Sequence, residues 1–291
     1  MLNLVSRRIP SCKKHVQHTG VVSDPIRAVQ HLNSLASPNP RMKKFLLTIT
    51  LVIIFRPFPS LAQPPYTGTS FIDPDIIKAD DPTAFVKATY VGRANREVYD
   101  RRTEGWTTIN AFLFKIVWSD GLTTEAQVNP EFNTMAGASR EVRKYGRVAG
   151  QLPACLRKDI KALCIHKGTK LFGGGNHSVL IHTGQGVLYE KDRVLEEILF
   201  HEASHTSLDE NHASAEQWTA AQRSDNAFVS TYAQENPERE DVAESFLCWY
   251  AVRQCNRRIS QENYNKIMQA IAHRIEYFDK QQFDLNPLCI E

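Results

Sequence analysis

The chain has 291 residues and is 42% hydrophobic, which suits one large domain or two small ones with an apolar core. Nine of its 35 basic residues but only one of its 32 acidic residues lie in residues 1–62, so residues 63–291 carry a net charge of −5 although the whole chain carries +3. This mildly acidic body argues against a nucleic-acid-binding protein.

Residues 42–62 have the three parts of a secretory signal peptide. "MKKFLLTITLVIIF" places two lysines before an apolar run, and "PFPSLA" ends in small residues before Gln63. The apolar run has about 11 residues, which is too short to span a bilayer. We therefore predict a secreted, extracellular protein with no stable membrane anchor after cleavage. Residues 1–41 are interpreted as a disordered extension or a mis-assigned translation start.

The first part of the remaining chain has mainly strand composition. Residues 63–80 are rich in proline and predict irregular structure, whereas residues 84–92, 96–102 and 111–118 predict strands. The turn Ser119–Gly121 followed by "LTTEAQV" predicts a β-hairpin. A helix is expected over residues 138–150, ending at Gly150, then a short helix within "LPACLRKDIKAL", and a strand over 178–183 between glycine-rich turns.

From about Asp192 the pattern becomes helical. Apolar residues at 194, 195, 198 and 199 form a helical stripe, residues 213–222 and 238–255 favour helix, and Ser260 is expected to cap a helix over 260–283. No internal repeat or linker divides residues 63–291, which are interpreted as a single domain. The predicted class is α+β, mainly β with a hairpin in the N-terminal part and helical in the C-terminal part.

The stretch "LEEILFHEASHTSLDENH", residues 195–212, contains the pattern H-E-x-x-H at His201, Glu202 and His205. Positions i and i+4 share a face of a helix, so His201 and His205 can present both imidazoles to one Zn²⁺ ion. Glu202 can then act as the base toward a water on that ion. The pattern predicts one catalytic zinc ion. The alternative is a surface helix with solvated histidines, which the apolar "ILF" before the motif disfavours.

A catalytic zinc ion requires a third protein ligand, and the sequence offers two sources. His212 does not fit the metzincin pattern H-E-x-x-H-x-x-G-x-x-H, because positions 208 and 211 are Leu208 and Asn211. The better source is "EDVAESF", residues 240–246, where Glu240 and Glu244 share a helix face before the apolar "FLCWY". Burying such carboxylates without a partner is costly, and a metal ion offsets that cost.

"HEASH" followed by "EDVAESF" resembles the gluzincin metallopeptidases, among them the anthrax lethal factor protease domain and the Pro-Pro endopeptidases, over about residues 178–250. The resemblance implies a zincin-like metallopeptidase domain in which Glu244 of "AESF" is the third zinc ligand. A thermolysin-like arrangement would exchange the roles of Glu240 and Glu244. The resemblance also implies a tyrosine that stabilises the oxyanion, for which Tyr232 of "FVSTYA" is the candidate.

Other residues of this region have two interpretations each. Asp209, four residues after His205, is expected to orient that imidazole or to end the helix. "FGGGNHSVLIHT" either lines the cleft and pairs with an extended peptide or forms a plain turn and core strand. His177 and His182 are interpreted as structural.

The predicted function is that of a secreted zinc metalloendopeptidase that cleaves peptide or protein substrates with Glu202 as general base. The alternative is a secreted zinc-binding module, non-catalytic or toxin-like, on the same fold. Glu202 argues against the alternative, because a purely structural zinc site needs no base and is closed by a fourth protein ligand.

Five of the six cysteines lie in residues 63–291 without C-x-x-C spacing, which favours disulfides over a zinc ribbon. Cys248 and Cys255 are seven residues apart on one predicted helix, and about 10.5 Å of rise is too long for a disulfide. Cys155 is expected to pair with Cys164 across a chain reversal, and Cys255 with Cys289. Cys248 is then expected to be a buried free thiol.

Overall fold

The structure is a computed structural model that describes residues 62–70 and 72–287. The interpretations of residues 1–41 and of the signal peptide, apart from Ala62, fall outside these ranges, and so does Cys289. In the described part of the chain, no helix has the length and apolar character needed to cross a bilayer.

The described residues contain six strands in a single mixed sheet. They are β1 (Phe85–Asp100), β2 (Gly105–Trp118), β3 (Thr123–Val128), β4 (Ala162–His166), β5 (Gly173–Gly175) and β6 (Ser178–His182). Their order in the sheet is β1-β2-β3-β4-β6-β5. The pairs β1-β2 and β2-β3 are antiparallel, β3-β4 and β4-β6 are parallel, and β5 runs antiparallel to β6 at the edge.

Helices dominate the second half of the chain. Those in the described residues are α1 (Met135–Gln151), α2 (Ala154–Arg157), α3 (Thr183–Lys191), α4 (Leu195–Ser207), α5 (Asp209–His212), α6 (Glu216–Ser224), α7 (Thr231–Glu235), α8 (Asp241–Gln254) and α9 (Gln261–Asp279), with a 3₁₀ helix at Pro130–Phe132. The protein is thus a mixed α/β protein in which all six strands of the described residues precede seven of the nine helices, close to the order expected from composition.

Several predicted elements are present, but their first or last residues differ from those expected from the sequence. The expected hairpin joins β2 and β3, and the Trp118 N–H donates to the Leu122 carbonyl at 3.0 Å. Ser260 caps α9, because its Oγ accepts the Asn263 N–H at 3.1 Å. The two strands predicted over 84–102 are one strand, β1, with a shift of register at Gly92, where φ is 115°.

Two segments were assigned incorrectly by sequence pattern. The glycine-rich stretch after β6 is helix α3 rather than a turn. The helix expected within "LPACLRKDIKAL" shrinks to the single turn α2, and its last residues enter strand β4. Both segments lie against the core, where tertiary packing outweighs weak local propensity.

Two apolar clusters lie on opposite faces of the sheet. Leu163 and Ile165 of β4 join the large cluster, whereas Cys164 between them joins a small cluster with Val98 and Leu180. Side chains alternate along a strand, so Cys164 points away from α2, where Cys155 belongs to the large cluster. The predicted disulfide between Cys155 and Cys164 is therefore wrong, and both are free, buried cysteines.

The other cysteines follow the prediction as far as they are described. Cys248 is a buried free cysteine on α8, which confirms the expected free thiol. Cys255 is disulfide-bonded at the end of the same helix. Its expected partner Cys289 lies outside the described residues, so that pairing stays a prediction.

Helix α4, which carries the H-E-x-x-H motif, runs through the protein interior. Every residue of α4 except Thr206 is buried. Phe200 stacks on Phe246 of α8 with ring centroids 5.4 Å apart, and the edge strand β5 covers another side of the helix. A surface helix with solvated histidines is thereby excluded.

The closest approach of β5 to α4 requires a glycine. A Cβ atom at Gly174 would stand 1.8 Å from the carbonyl oxygen of Glu202 and 2.7 Å from its carbonyl carbon. We expect Gly174→Ala to lower the free energy of unfolding by about 1–3 kcal/mol or more, because backbone must move to admit the methyl group. Thermal unfolding measures this. Gly105→Ala is the control, since the nearest atom to its Cβ lies at 3.8 Å, and equal losses in both variants would contradict the expectation.

Glu197 gives the fold a specific pH dependence. It is fully buried one turn before His201, its Oε1 accepts the Ile77 N–H at 2.9 Å, and burial raises its pKa from 4.5 to about 8. Between these values the folded chain holds a proton that the unfolded chain releases, so stability falls as pH rises from about 4.5 to about 8.

Glu197→Gln keeps the acceptor oxygen and cannot ionise. We expect this variant to be more stable than wild type above pH 8, by about 2–5 kcal/mol, and to show a flatter dependence of stability on pH. Glu196, whose pKa burial raises to about 7, accounts for part of the remaining slope. Urea unfolding between pH 5 and pH 9 measures both quantities, and parallel curves for the two proteins would refute the assignment.

Candidate metal centre

His201 and His205 present their Nε2 atoms to the same point. The two atoms are 3.2 Å apart, and the rings are nearly perpendicular at 89°. Both side chains are buried. Two imidazole nitrogens at this distance must share a proton or surround a cation, since two lone pairs repel each other. The i, i+4 spacing on α4 therefore brings the two imidazole rings together, as the motif predicts.

Glu240 completes a group of three potential ligands. It stands at the N-cap of α8, and its Oε2 lies 3.0 Å from His205 Nε2 and 3.6 Å from His201 Nε2. One ligand atom from each of the three residues lies within 4.8 Å of the others. Burial raises the pKa of Glu240, but the two histidines outweigh this effect and lower it, so the group stays ionised. Two imidazoles and one carboxylate form a ligand set typical of catalytic zinc.

Glu244, the ligand favoured by the resemblance, takes a different place. Its Oε1 lies 3.5 Å from Nδ1 of His201, and its Oε2 accepts the Thr69 N–H at 2.8 Å. The two glutamates do share a face of α8, but they meet opposite edges of one imidazole ring. Glu240 reaches both Nε2 atoms because it precedes the first helical turn, whereas Glu244 is one turn further along. The geometry thus favours the thermolysin-like alternative over the preferred assignment.

Asp209 makes the contact expected of it. Its Oδ2 lies 2.9 Å from Nδ1 of His205, while Glu244 faces Nδ1 of His201. Each histidine therefore has a carboxylate at its Nδ1 edge. The Asp209 contact is a hydrogen bond that directs Nε2 of His205 toward Glu240, whereas Glu244 lies at ion-pair distance from Nδ1 of His201 without a hydrogen bond to it. Burial lowers the pKa of His205, but Asp209 and Glu240 outweigh burial and raise it to about 10. Such an excess of negative charge around two imidazoles suits a divalent cation.

Glu202 and Tyr232 flank this group. Glu202 is buried and follows His201 on α4. Burial raises the pKa of Tyr232, and the charges of Glu240 and Glu202 and a hydrogen bond to Glu240 raise it further. The phenol therefore stays protonated at neutral pH and can donate a hydrogen bond. Tyr232 lies eight residues before Glu240 and 12 residues before Glu244.

Ser230 is a site residue that the sequence analysis missed. Its Oγ accepts the Ala233 N–H at 3.0 Å and so caps α7, the short helix that carries Tyr232. The Ser230 hydroxyl also hydrogen-bonds Glu244, where it counters part of the rise that burial causes in the pKa of that carboxyl. The N-cap signal of a serine before "TYAQE" was available in the sequence, but its link to Glu244 was not.

The edge strand β5 lies beside the motif. It pairs with β6 on one side and ends the sheet, and the Gly175 N–H donates to Thr206 Oγ1 of α4 at 2.9 Å. "FGGGN" thus forms an edge strand next to Glu202, and "SVLIH" forms the fully buried strand β6, as in the second of the two interpretations. Pairing of the edge with an extended peptide stays a prediction. His212 lies apart from the centre, with Nδ1 2.6 Å from the Tyr277 hydroxyl, and is structural.

A second group of ligand-type residues lies on the face of the sheet that carries the small apolar cluster. Asp100, His166 and His182 are all buried, and each offers an atom within 4.8 Å of the others. His166 and His182 stand in register on β4 and β6. Burial lowers the pKa of both to about 4, so both rings are neutral. These residues are brought together by strand pairing and belong to no sequence motif. Their grouping was therefore not predicted from the sequence.

Hydrogen bonding around His166 counts against a metal ion in this second group. Arg102 donates to Asp100 at 2.7 Å and lies 3.3 Å from Nδ1 of His166. Asn129 accepts the Glu131 N–H with its Oδ1, so its Nδ2 donates toward the same Nδ1 at 3.4 Å. Nδ1 is therefore an acceptor, and Nε2 carries the proton that a metal would have to replace.

No protein-family model, no curated protein and no solved structure matches this chain. The functional interpretation accordingly rests on the side-chain geometry of the centre formed by His201, His205 and Glu240.

Proposed function

We propose that this protein is a secreted zinc metallopeptidase of gluzincin type. The observation that carries the proposal is the convergence of His201, His205 and Glu240 on one point, with Glu202 beside them on the same buried helix. These three residues would hold Zn²⁺ through two Nε2 atoms and a carboxylate oxygen, and they leave one position for water or substrate. A structural site would instead be closed by a fourth protein ligand.

The chain's own residues account for the proton transfers. When bound, the zinc ion would acidify a water molecule and polarise the scissile carbonyl group. Glu202 takes the proton of the attacking water and passes it to the leaving amine. Tyr232, which is protonated at neutral pH, donates a hydrogen bond to the oxyanion that develops on the scissile carbonyl oxygen. Asp209 and Glu244 keep the two imidazoles oriented.

The edge strand supports a peptide as the substrate. An extended peptide can add to a sheet edge through its main chain, and β5 is the edge strand beside Glu202, with Gly175 partly exposed and Gly173 and Gly174 buried. This pairing uses the main chain of the substrate, so it would place a scissile bond next to Glu202 largely independently of the substrate's side chains. A mixed sheet with an antiparallel edge strand along the motif helix is also compatible with a zincin-like arrangement.

Cleavage of a peptide library by the chain lacking residues 1–62 tests the proposal. We expect new termini, detected by mass spectrometry, that disappear with a zinc chelator and return when zinc is restored. Zinc binding without any cleavage would reject the peptidase and leave a non-catalytic zinc-binding module. Absence of both zinc and cleavage would reject the metal centre itself.

A further inference from the structure

The segment Tyr66–Thr69, named the strap here, runs beside the candidate centre without supplying a ligand. Tyr66 forms an isolated parallel bridge with Ser230. The Thr231 N–H donates to the Tyr66 carbonyl at 2.8 Å, and the Tyr232 N–H donates to the Thr67 carbonyl at 3.1 Å. The strap is anchored by the Tyr66 hydroxyl, which donates to Asn263 Oδ1 on α9 at 2.9 Å.

These contacts cap the helix that carries Tyr232. Helix α7 has only five residues, far below the length at which an isolated helix is stable. Its first two N–H groups, those of Thr231 and Tyr232, are satisfied by the strap, and its third by Ser230 Oγ. The position of the Tyr232 phenol therefore depends on strap carbonyls as much as on α7 itself.

The far end of the strap holds Glu244. The Thr69 N–H donates to Glu244 Oε2 at 2.8 Å, and Thr69 is fully buried. A Cβ atom at Gly68 would stand 3.8 Å from Glu244 Oε1, so this part of the strap faces the carboxylate with room for no more than a methyl group between them. The other oxygen of that carboxylate faces Nδ1 of His201 at 3.5 Å. One backbone N–H thus holds the Glu244 carboxylate in place beside the ring of His201, at ion-pair distance from its Nδ1.

We propose that the strap is a positioning element of the active site, which holds Tyr232 through α7 and His201 through Glu244. This inference rests on the proposed zinc peptidase function. With Gln63 as the predicted first residue after export, the strap comprises positions 4–7 of the exported chain. Activity then requires an intact N-terminus. Proteolytic removal of the first few residues would inactivate the protein, although all three zinc ligands would remain in the chain.

Thr69→Pro tests the strap, because proline removes the one N–H that donates to Glu244. Lys170→Pro is the matched control, because Lys170 is an exposed loop residue between β4 and β5, outside the strap, and within the described residues no bond of its N–H is found. The readout is the zinc dissociation constant from chelator competition, together with the unfolding temperature. We expect Thr69→Pro to weaken zinc binding by roughly 10- to 100-fold, as for other residues that orient a metal ligand, and Lys170→Pro to leave it unchanged.

A double-mutant cycle separates positioning from general destabilisation. If the strap acts through Glu244, Thr69→Pro in a Glu244→Ala background should cause no further loss of zinc affinity. If Thr69→Pro does not fold, Ser230→Ala is the second variant, since it removes the hydroxyl that joins Glu244 to α7. It should also weaken zinc binding and be non-additive with Glu244→Ala.

The outcomes distinguish the strap from the proposed function. If the wild-type protein neither binds zinc nor cleaves peptides, the proposed function on which the strap depends is refuted. If wild type binds zinc and cleaves peptides, the strap alone is refuted by equal zinc affinities for Thr69→Pro and Lys170→Pro. It is also refuted if the loss caused by Thr69→Pro simply adds to that of Glu244→Ala.

Discussion

Glu202→Gln is expected to keep the fold and the zinc affinity and to lower kcat by about 10²- to 10⁴-fold. Glutamine has the volume of glutamate, so the packing of α4 against β5 at this residue is preserved. It has no carboxylate to accept a proton from the attacking water, and the general-base contribution is lost. Steady-state kinetics on a peptide found in the library experiment, with zinc content measured on the same sample, gives the result.

Glu210→Gln is the control for this substitution, because Glu210 is an exposed acid on α5, next to Asp209 in the chain. It should retain wild-type kinetics. A Glu202→Gln protein that cleaves as fast as Glu210→Gln would remove the base from the mechanism.

Glu240→Ala is expected to cause the larger loss of zinc affinity of the two glutamate substitutions. It deletes the carboxylate that lies 3.0 Å from His205 Nε2 and leaves two buried imidazoles without their third partner. Glu244→Ala deletes only the carboxylate at Nδ1 of His201, so its loss should be limited to roughly 10- to 100-fold. Chelator competition measures both dissociation constants.

Glu238→Ala is the control for both, because Glu238 is exposed just before α8. It should bind zinc as wild type does. If Glu244→Ala loses more zinc affinity than Glu240→Ala, the ligand position belongs to Glu244, as the resemblance to gluzincins implied.

The motif residues could be found from the sequence because helical periodicity alone brings His201 and His205 together. The choice between Glu240 and Glu244 could not be made that way. Both lie on the same face of α8, and what separates them is where each side chain meets the imidazole of His201. That depends on the position of the first turn of α8 relative to α4, which spacing does not encode.

The strap shows a second limit of sequence reasoning. Thr69 and Glu244 are 175 positions apart, and the contact uses a backbone N–H, which every residue type except proline possesses. Composition therefore predicted only an irregular, proline-rich segment. The wrong pairing of Cys155 with Cys164 has a related cause: the alternation of side chains along β4 sends Cys164 to the other face of the sheet once that strand is recognised.

Elemental analysis of the purified chain tests the central claim most directly, with wild type compared to the double variant His201→Ala/His205→Ala. We expect one zinc ion per wild-type chain and none in the double variant, because the histidines supply two of the three ligands that converge in the centre. Zinc retained by the double variant would place the metal elsewhere, and a wild-type chain that binds no zinc would contradict the account.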